Sequence, residues 1–434
     1  MTPSSTGTPA DRGLLRALGR WDLLALVING IVGAGIFGLP AKVHSLLGLY
    51  GLWAVLACAA VIGLVILCFA EVASRFDETG GPFVYAGAAF GPFTGFLTGW
   101  LLWVARVTGC CAIASLLIEY TAFFDPAWNQ GRGRAASAAI VIGALTALHY
   151  FGIKRAALFG NIVTVAKLVP LLLFIAFGLW HLHAAAFVYG AVPANAHFAQ
   201  AVLLLGFAFI GWESVVVTAG ETRNPQRDLP FALLAGLGSV AVLYLLIQLV
   251  CIGTLPDLAQ SERPIVEAAG IFLGPRGASL ITLGAMISMV GTLHVTMLTV
   301  SRVPYAMAAA GQLPPALAAV HPRYRTPHVS VILCGVLVLA LTLSGSFVYL
   351  LTVSTIARLV VFSVTCASLP RLRRIAAAPA ARFKLPGGPL IPGAALVLIV
   401  WLLASSSWAE TRDVAFLSLL GALLYRLGRF RHAA

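Results

Sequence analysis

Charged residues are scarce in this sequence. Only 10% of its 434 residues are Asp, Glu, Lys or Arg, and 60% are hydrophobic. Soluble domains carry about a quarter charged residues. The low charged fraction therefore excludes a soluble multidomain protein. The composition predicts an all-α polytopic membrane protein.

Long polar stretches are also lacking, which leaves no room for a soluble module. A membrane-spanning helix needs roughly 20 apolar residues, and about twelve runs approach or reach that length. They lie at about 21–43, 50–72, 93–122, 136–152, 157–180, 197–219, 230–254, 277–301, 328–345, 347–369, 389–406 and 413–427.

The loops lack cysteine. All seven cysteines lie within apolar runs or, for Cys251, near the end of one, so no disulfide framework is expected. The apolar runs also lack the paired carboxylates, the Ser/His arrangement and the His-Glu-x-x-His motif of a membrane-embedded enzyme. We therefore expect neither enzymatic activity, nor a cofactor, nor a metal site.

The net charge of +13 is unevenly distributed. With the N-terminus placed in the cytoplasm, most lysines and arginines fall in cytoplasmic segments, as the positive-inside rule requires. The charge therefore reports topology, with both termini cytoplasmic in an inner membrane, and does not indicate a nucleic-acid partner.

Glycines interrupt the first apolar run. Residues 29 to 40 read Asn-Gly-Ile-Val-Gly-Ala-Gly-Ile-Phe-Gly-Leu-Pro, and the Gly33–Gly38 spacing recurs at Gly206–Gly211. Glycine disfavours a helix interior by about 1 kcal/mol relative to alanine. Glycine-interrupted segments at matching places of two halves point to a transporter binding site. Close packing through small residues is the alternative.

The first break also matches Gly-x-Gly-x-x-Gly, the pattern of a dinucleotide site. That site needs a preceding strand and an acidic residue about 20 positions on, but no acid occurs between Gly38 and Glu71. The favoured interpretation is an unwound segment. Its free amides, at the positive end of a half-helix, can hold a carboxylate, and its carbonyls can hold an ammonium group.

Four charged residues lie well inside apolar runs, away from the run ends, where a charge is costly. Glu213 can form a structural ion pair with Arg106, Arg358 or Lys167, or it can belong to the coupling machinery. Lys167 can snorkel to the cytoplasmic surface, or it can be a desolvated amine that loads and releases a proton. Arg106 and Arg358 are expected to form structural or gating ion pairs.

The chain is expected to comprise a cytoplasmic tail (1–20) and one transmembrane domain (21–430). The breaks open two sets of five spans, at about 21–180 and 197–369. Because five crossings reverse the starting side, the second set must be inverted relative to the first. The extra helices, at about 389–427, are expected at the periphery.

Four stretches resemble a known family: 33–38, 71–85 with 90–100, 207–213 with 219–230, and 301–314. Together they resemble the amino acid–polyamine–organocation superfamily, specifically its amino acid permeases. The resemblance implies ten helices in two inverted repeats plus two, with alternating access around broken helices 1 and 6.

The resemblance also implies residue roles. The amides around Ala34, Gly35 and Ile36 would take a substrate carboxylate, and the carbonyls of Ile31, Phe207 and Ile210 an amino group. Phe207 would be a gating aromatic, and Lys167 would serve proton coupling or exchange in a sodium-independent carrier. The full expected substrate site is Ile31, Gly33, Ala34, Gly35, Ile36, Phe207, Ala208, Ile210 and Gly211.

The expected function is therefore sodium-independent amino acid transport across the inner membrane, by proton symport or exchange. The apolar helix 6 side of the site favours a neutral amino acid; a cationic amino acid or polyamine is the alternative, and a channel or sensor remains open. The loop from Phe123 to Arg134 has no cysteine, so no disulfide-linked heavy subunit is expected.

Overall fold

The computed structural model describes residues 14–33, 35–121, 125–192, 194–344, 347–404 and 408–432. The Ala34 position and residues 1–13 of the expected tail lie outside this part of the chain. Within it the fold is helical, and the only extended pairing there is an isolated bridge between Leu18 and Thr222. The all-helical prediction is confirmed.

The helices follow one another with short connections. They are α1 (Arg20–Ile31), α2 (Gly35–Leu47), α3 (Gly51–Ala73), α4 (Pro82–Phe90), α5 (Pro92–Thr121), α6 (Gly131–Tyr150), α7 (Ile153–Trp180), α8 (Asn195–Ala208), α9 (Pro225–Thr254), α10 (Pro264–Val300), α11 (Arg302–Ala309), α12 (His328–Ser344), α13 (Phe347–Arg374), α14 (Leu390–Ala404) and α15 (Trp408–His432). A 3₁₀ helix, Trp212–Glu221, stands between α8 and α9.

Proline and glycine set several of these boundaries. Pro82, Pro225 and Pro264 occupy the first helical position, where their missing N–H is not needed. Gly152 adopts a φ of 121° between α6 and α7, a conformation that side chains disfavour. The chain therefore turns sharply between these long apolar helices.

Six helical segments of the described chain are long and apolar enough to cross a membrane, and three further apolar helices are shorter. Large apolar side chains such as Leu158, Ile162 and Val165 on α7 are more than half exposed. An outer surface of this kind suits lipid. The protein is a multi-pass membrane protein.

The core lies where the interrupted helices meet the long ones. The helix α1 packs against α7, α9, α10 and the 212–221 helix, while α5 packs against α10 and α13. The two interruptions are thus enclosed by α5, α7, α9, α10 and α13, which supply most of the side chains discussed below.

Candidate functional site between two helix breaks

The first break separates α1 from α2. The last bond of α1 runs from the Val32 N–H to the Ile28 carbonyl, at 2.9 Å, and α2 begins at Gly35. The first amides of a helix have no intrahelical acceptor, so the N-terminus of α2 presents free donors. The glycines predicted this interruption.

The second break separates α8 from the 212–221 helix. Gly211 has a φ of 123°, and its N–H donates to Glu213 Oε2 at 2.9 Å. The side chain of Glu213 thereby satisfies an amide that the broken helix leaves without a backbone partner. The Phe207 side chain lies outside the described part of the structure.

The two breaks touch each other. A β-carbon on Gly30 would meet the carbonyl group of Gly211, so only glycine permits this approach. The Tyr244 hydroxyl lies 3.1 Å from the carbonyl oxygens of both Ile31 and Ala208. Because a hydroxyl has one proton, it can donate to only one of them at a time, and α9 thereby links both breaks.

A cavity of about 470 Å³ opens beside the breaks. Of the expected substrate residues, it is lined by Ile31, Gly33, Gly35, Ala208, Ile210 and Gly211. Ile36 is instead buried in the core. The breaks therefore supply backbone groups to one wall of a single cavity, as expected for a binding site in a discontinuous helix pair.

Three of the four intramembrane charges meet at the same cavity. Glu213 Oε1 lies 3.6 Å from Arg106 Nη2 and 3.3 Å from Arg358 Nε, and all three residues line the cavity. Arg106 Nη1 also donates to Ser214 Oγ. Of the partners considered for Glu213, the two arginines are found and Lys167 is not.

Lys167 lies behind the first break, fully buried. Its ammonium group donates to the carbonyls of Asn29 at 2.9 Å and Val32 at 2.5 Å. The side chain therefore does not snorkel. The ammonium group binds two carbonyl oxygens at the end of α1. Carbonyls at such a helix end hold a cation in transporters with discontinuous helices.

Helix α10 supplies two further donors to the same two carbonyls. Ser288 Oγ donates to the Val32 carbonyl at 2.7 Å, and Thr292 Oγ to the Asn29 carbonyl at 3.0 Å. The carbonyls that the break releases are thus satisfied by one ammonium and two hydroxyl groups, which removes the penalty of unpaired backbone in a membrane.

The 212–221 helix is packed tightly at both of its ends. Trp212 is fully buried, with ring centroids 4.8 Å from Phe69 and 5.1 Å from Phe362. Further along, Arg302 and Glu221 form a fully buried two-point ion pair at 2.8 and 2.9 Å. The cavity beside the breaks shares Gly38 and Tyr120 with a second cavity of about 400 Å³.

Comparison with known proteins identifies the family. The sequence model of a family described as "Amino acid permease" matches residues 18–416. The chain belongs to this family of amino acid permeases. Its members are transporters, so the permease is not an enzyme.

Named relatives agree with this assignment. The permease is 28% identical to the serine/threonine exchanger SteT of Bacillus subtilis, over 95% of each chain. It is also 28% identical to the branched-chain amino acid permease BcaP of Bacillus subtilis, over 98% of this chain and 96% of the relative. The uncharacterized transporter Rv1999c of Mycobacterium tuberculosis is 32% identical over 82% of this chain and 80% of its own length.

Sequence reasoning missed several residues of this permease site. The hydroxyls of Ser288 and Thr292 stand four residues apart in an apolar run, with Thr296 four further on. That polar stripe along one helix face was a usable signal. Tyr244 gave none, since an isolated tyrosine in a span does not reveal what its hydroxyl contacts.

Proposed function

We propose that the permease is a sodium-independent secondary transporter of amino acids that works by alternating access. The observation that carries this is the meeting of two helix breaks at one cavity. Free amides at the N-terminus of α2 suit a carboxylate, and the carbonyls of Ile31 and Ile210 suit an amino group. A free amino acid presents both groups on one carbon.

Sodium independence rests on Lys167. Its ammonium group holds the Asn29 and Val32 carbonyls from a position where a coupled sodium ion would need oxygen ligands. The same amine is the proposed proton carrier in a symporter, or a fixed charge in an exchanger. The relatives include a protein named as an exchanger, and both modes of coupling remain within the proposal.

For the transport cycle we propose two inverted repeats, at about 21–180 and 197–369, with α14 and α15 outside them. Both termini are proposed to be cytoplasmic in the inner membrane. In this topology, the Trp212 packing and the Arg302–Glu221 pair close the cytoplasmic side, and the cavity faces outward. Glu213 with Arg106 and Arg358 forms the gate beneath the substrate.

The lining limits the substrate's side chain. Apolar residues such as Ile113, Leu116 and Leu204 line part of the wall, which suits an aliphatic portion of the substrate's side chain. Two guanidinium groups line the same cavity, and they argue against the alternative of a cationic amino acid or polyamine. A polyamine would also leave the α2 amides without a carboxylate.

Counterflow into proteoliposomes tests the proposal. Proteoliposomes that contain the purified protein are loaded with unlabelled amino acids, and uptake of labelled amino acid is measured with sodium and with choline in its place. We expect trans-stimulated uptake of equal rate in both salts. Uptake that disappears without sodium would contradict the role of Lys167, and uptake without trans-stimulation would indicate a channel.

A further inference from the structure

The charges that line the cavity do not balance. Among the described lining residues, Lys42, Arg106 and Arg358 are cationic, whereas Glu213 is the one carboxylate. Lys42 is exposed on α2, but Arg106 is 1% exposed. An arginine retains its charge in any protein environment, so the inner part of the cavity carries two fixed positive charges against one carboxylate.

The carboxylate of Glu213 is also shared. Its Oε2 accepts the Gly211 N–H, which leaves Oε1 between two guanidinium groups. Arg106 Nη1 donates to Ser214, but the Arg106 Nε and Nη2 atoms, and Glu213 Oε1 itself, have no hydrogen-bond partner among the described residues. Oε1 meets the two guanidinium groups only at ion-pair distances of 3.6 and 3.3 Å. A buried charged donor without an acceptor is costly. A ligand that brings an anionic oxygen to this place would remove the deficit.

The cavity provides space for such a group on the α5–α13 side. Gly109, one turn beyond Arg106, lines it, and a β-carbon there would lie 3.0 Å from Ser354 Oγ and 3.4 Å from Arg358 Nη2. The missing side chain at Gly109 thus leaves the Arg358 guanidinium uncovered. Glu213 joins Gly211 of the second break to both arginines, so the two guanidinium groups lie within reach of the side chain of a ligand that is held at the breaks by its α-carbon groups.

Building on the proposed amino acid transport, we propose that the transported amino acid has an acidic side chain. Its α-carboxylate and amino group bind at the two breaks, its short aliphatic stem lies against the apolar wall, and its side-chain carboxylate pairs with Arg106 and Arg358. Carboxylate–guanidinium pairs are strong and directional. An aspartate or glutamate restores charge balance, whereas a neutral side chain leaves the excess.

Competition in the counterflow assay tests this with the wild-type protein. Each acid is compared with its amide of equal size, glutamate with glutamine and aspartate with asparagine. We expect each acid to compete at least about tenfold better than its amide, because a site built for a polar group discriminates strongly against an analogue that lacks it. Amides that compete as well as the acids would overturn the inference.

Replacement of chloride by gluconate separates a substrate carboxylate from an inorganic anion. Acid uptake is expected to be unchanged in gluconate. Transport of neutral amino acids that requires chloride would assign the site to an inorganic anion and overturn the acidic side chain. If neutral amino acids exchange without chloride and acids do not, the proposed transport stands and the inference fails. If no amino acid exchanges, both fail.

Substitution locates the site. Arg106→Gln and Arg358→Gln are expected to reduce the preference for glutamate over glutamine at least about tenfold, since each removes a charged partner of the side-chain carboxylate. Arg16→Gln, at an exposed arginine far from the cavity, is the control and should keep the preference. If an arginine variant misfolds, the competition assay with the wild-type protein still tests the proposal, because that assay needs no variant.

Discussion

The Gly211 carbonyl oxygen lies 2.6 Å from the place where a β-carbon on Gly30 would stand. The two interrupted helices therefore meet backbone to backbone at the innermost part of the cavity. Gly30 and Gly211 are far apart in sequence, yet a β-carbon on either residue would collide with the backbone of the other.

Gly30→Ala tests this contact. The added methyl must displace backbone rather than a flexible side chain, and such overpacking costs about 1–3 kcal/mol. We expect counterflow to fall at least about tenfold while the protein still reaches the membrane. Gly206→Ala is the matched control, because a β-carbon there meets no atom within 4 Å. An equal loss in both variants would contradict the importance of the contact.

Lys167→Ala tests the cation at the end of α1. The carbonyls of Asn29 and Val32 lose a charged donor, and such hydrogen bonds contribute about 1.5–3 kcal/mol each. Uptake, measured across a pH series, is expected to fall at least about tenfold. Lys154→Ala removes an exposed lysine of the same helix and should have little effect. A Lys167 variant with full, pH-dependent uptake would refute the coupling role.

Tyr244→Phe tests the link from α9 to both breaks. Loss of the hydroxyl leaves the Ile31 and Ala208 carbonyls without this donor, at a cost of about 1–3 kcal/mol. We expect a higher substrate concentration at half-maximal uptake, determined from uptake rates over a series of substrate concentrations. The comparison is Tyr189→Phe, whose ring is half exposed and whose hydroxyl accepts a bond from Trp53. Similar kinetics in both variants would show that the link is unimportant.

Glu221→Gln tests the buried pair with Arg302. Removal of one member strands a buried guanidinium charge, which costs about 3–5 kcal/mol. The thermal unfolding midpoint in detergent is expected to fall clearly. Asp77→Asn breaks the exposed pair with Arg16 at 3.2 Å, a type of contact that contributes about 0–1 kcal/mol. A larger fall of the unfolding midpoint in Asp77→Asn than in Glu221→Gln would contradict the greater importance of the buried pair.

Local composition made parts of this structure predictable. Glycines at 30, 33 and 35 can interrupt a helix wherever they lie, so the first break was visible without knowledge of the fold. The need of Glu213 for a partner was also predictable, because a lone carboxylate in lipid is costly. Which of three cations it meets depends on packing among helices more than 100 residues apart.

Other contacts had no local signal. Arg302 directly follows the apolar run 277–301, where an arginine is expected at the membrane surface, yet it is fully buried against Glu221. The hydroxyl of Tyr244 could not be assigned to carbonyls of α1 and α8, because neither carbonyl is distinguished by its residue type. Backbone groups released by a break are satisfied by tertiary structure, and tertiary structure cannot be deduced from those residues alone.

The bridge at Leu18 ties the start of the described chain to the end of the 212–221 helix. The Ala17 and Leu18 N–H groups both donate to the Glu221 carbonyl, and the Arg223 N–H donates to the Leu18 carbonyl, each at 2.9 Å. Any swing of α1 must carry the 212–221 helix along or break these three bonds. We therefore expect α1 and the 212–221 helix to move together, and a fluorescent probe attached at position 16 would report the movement of both.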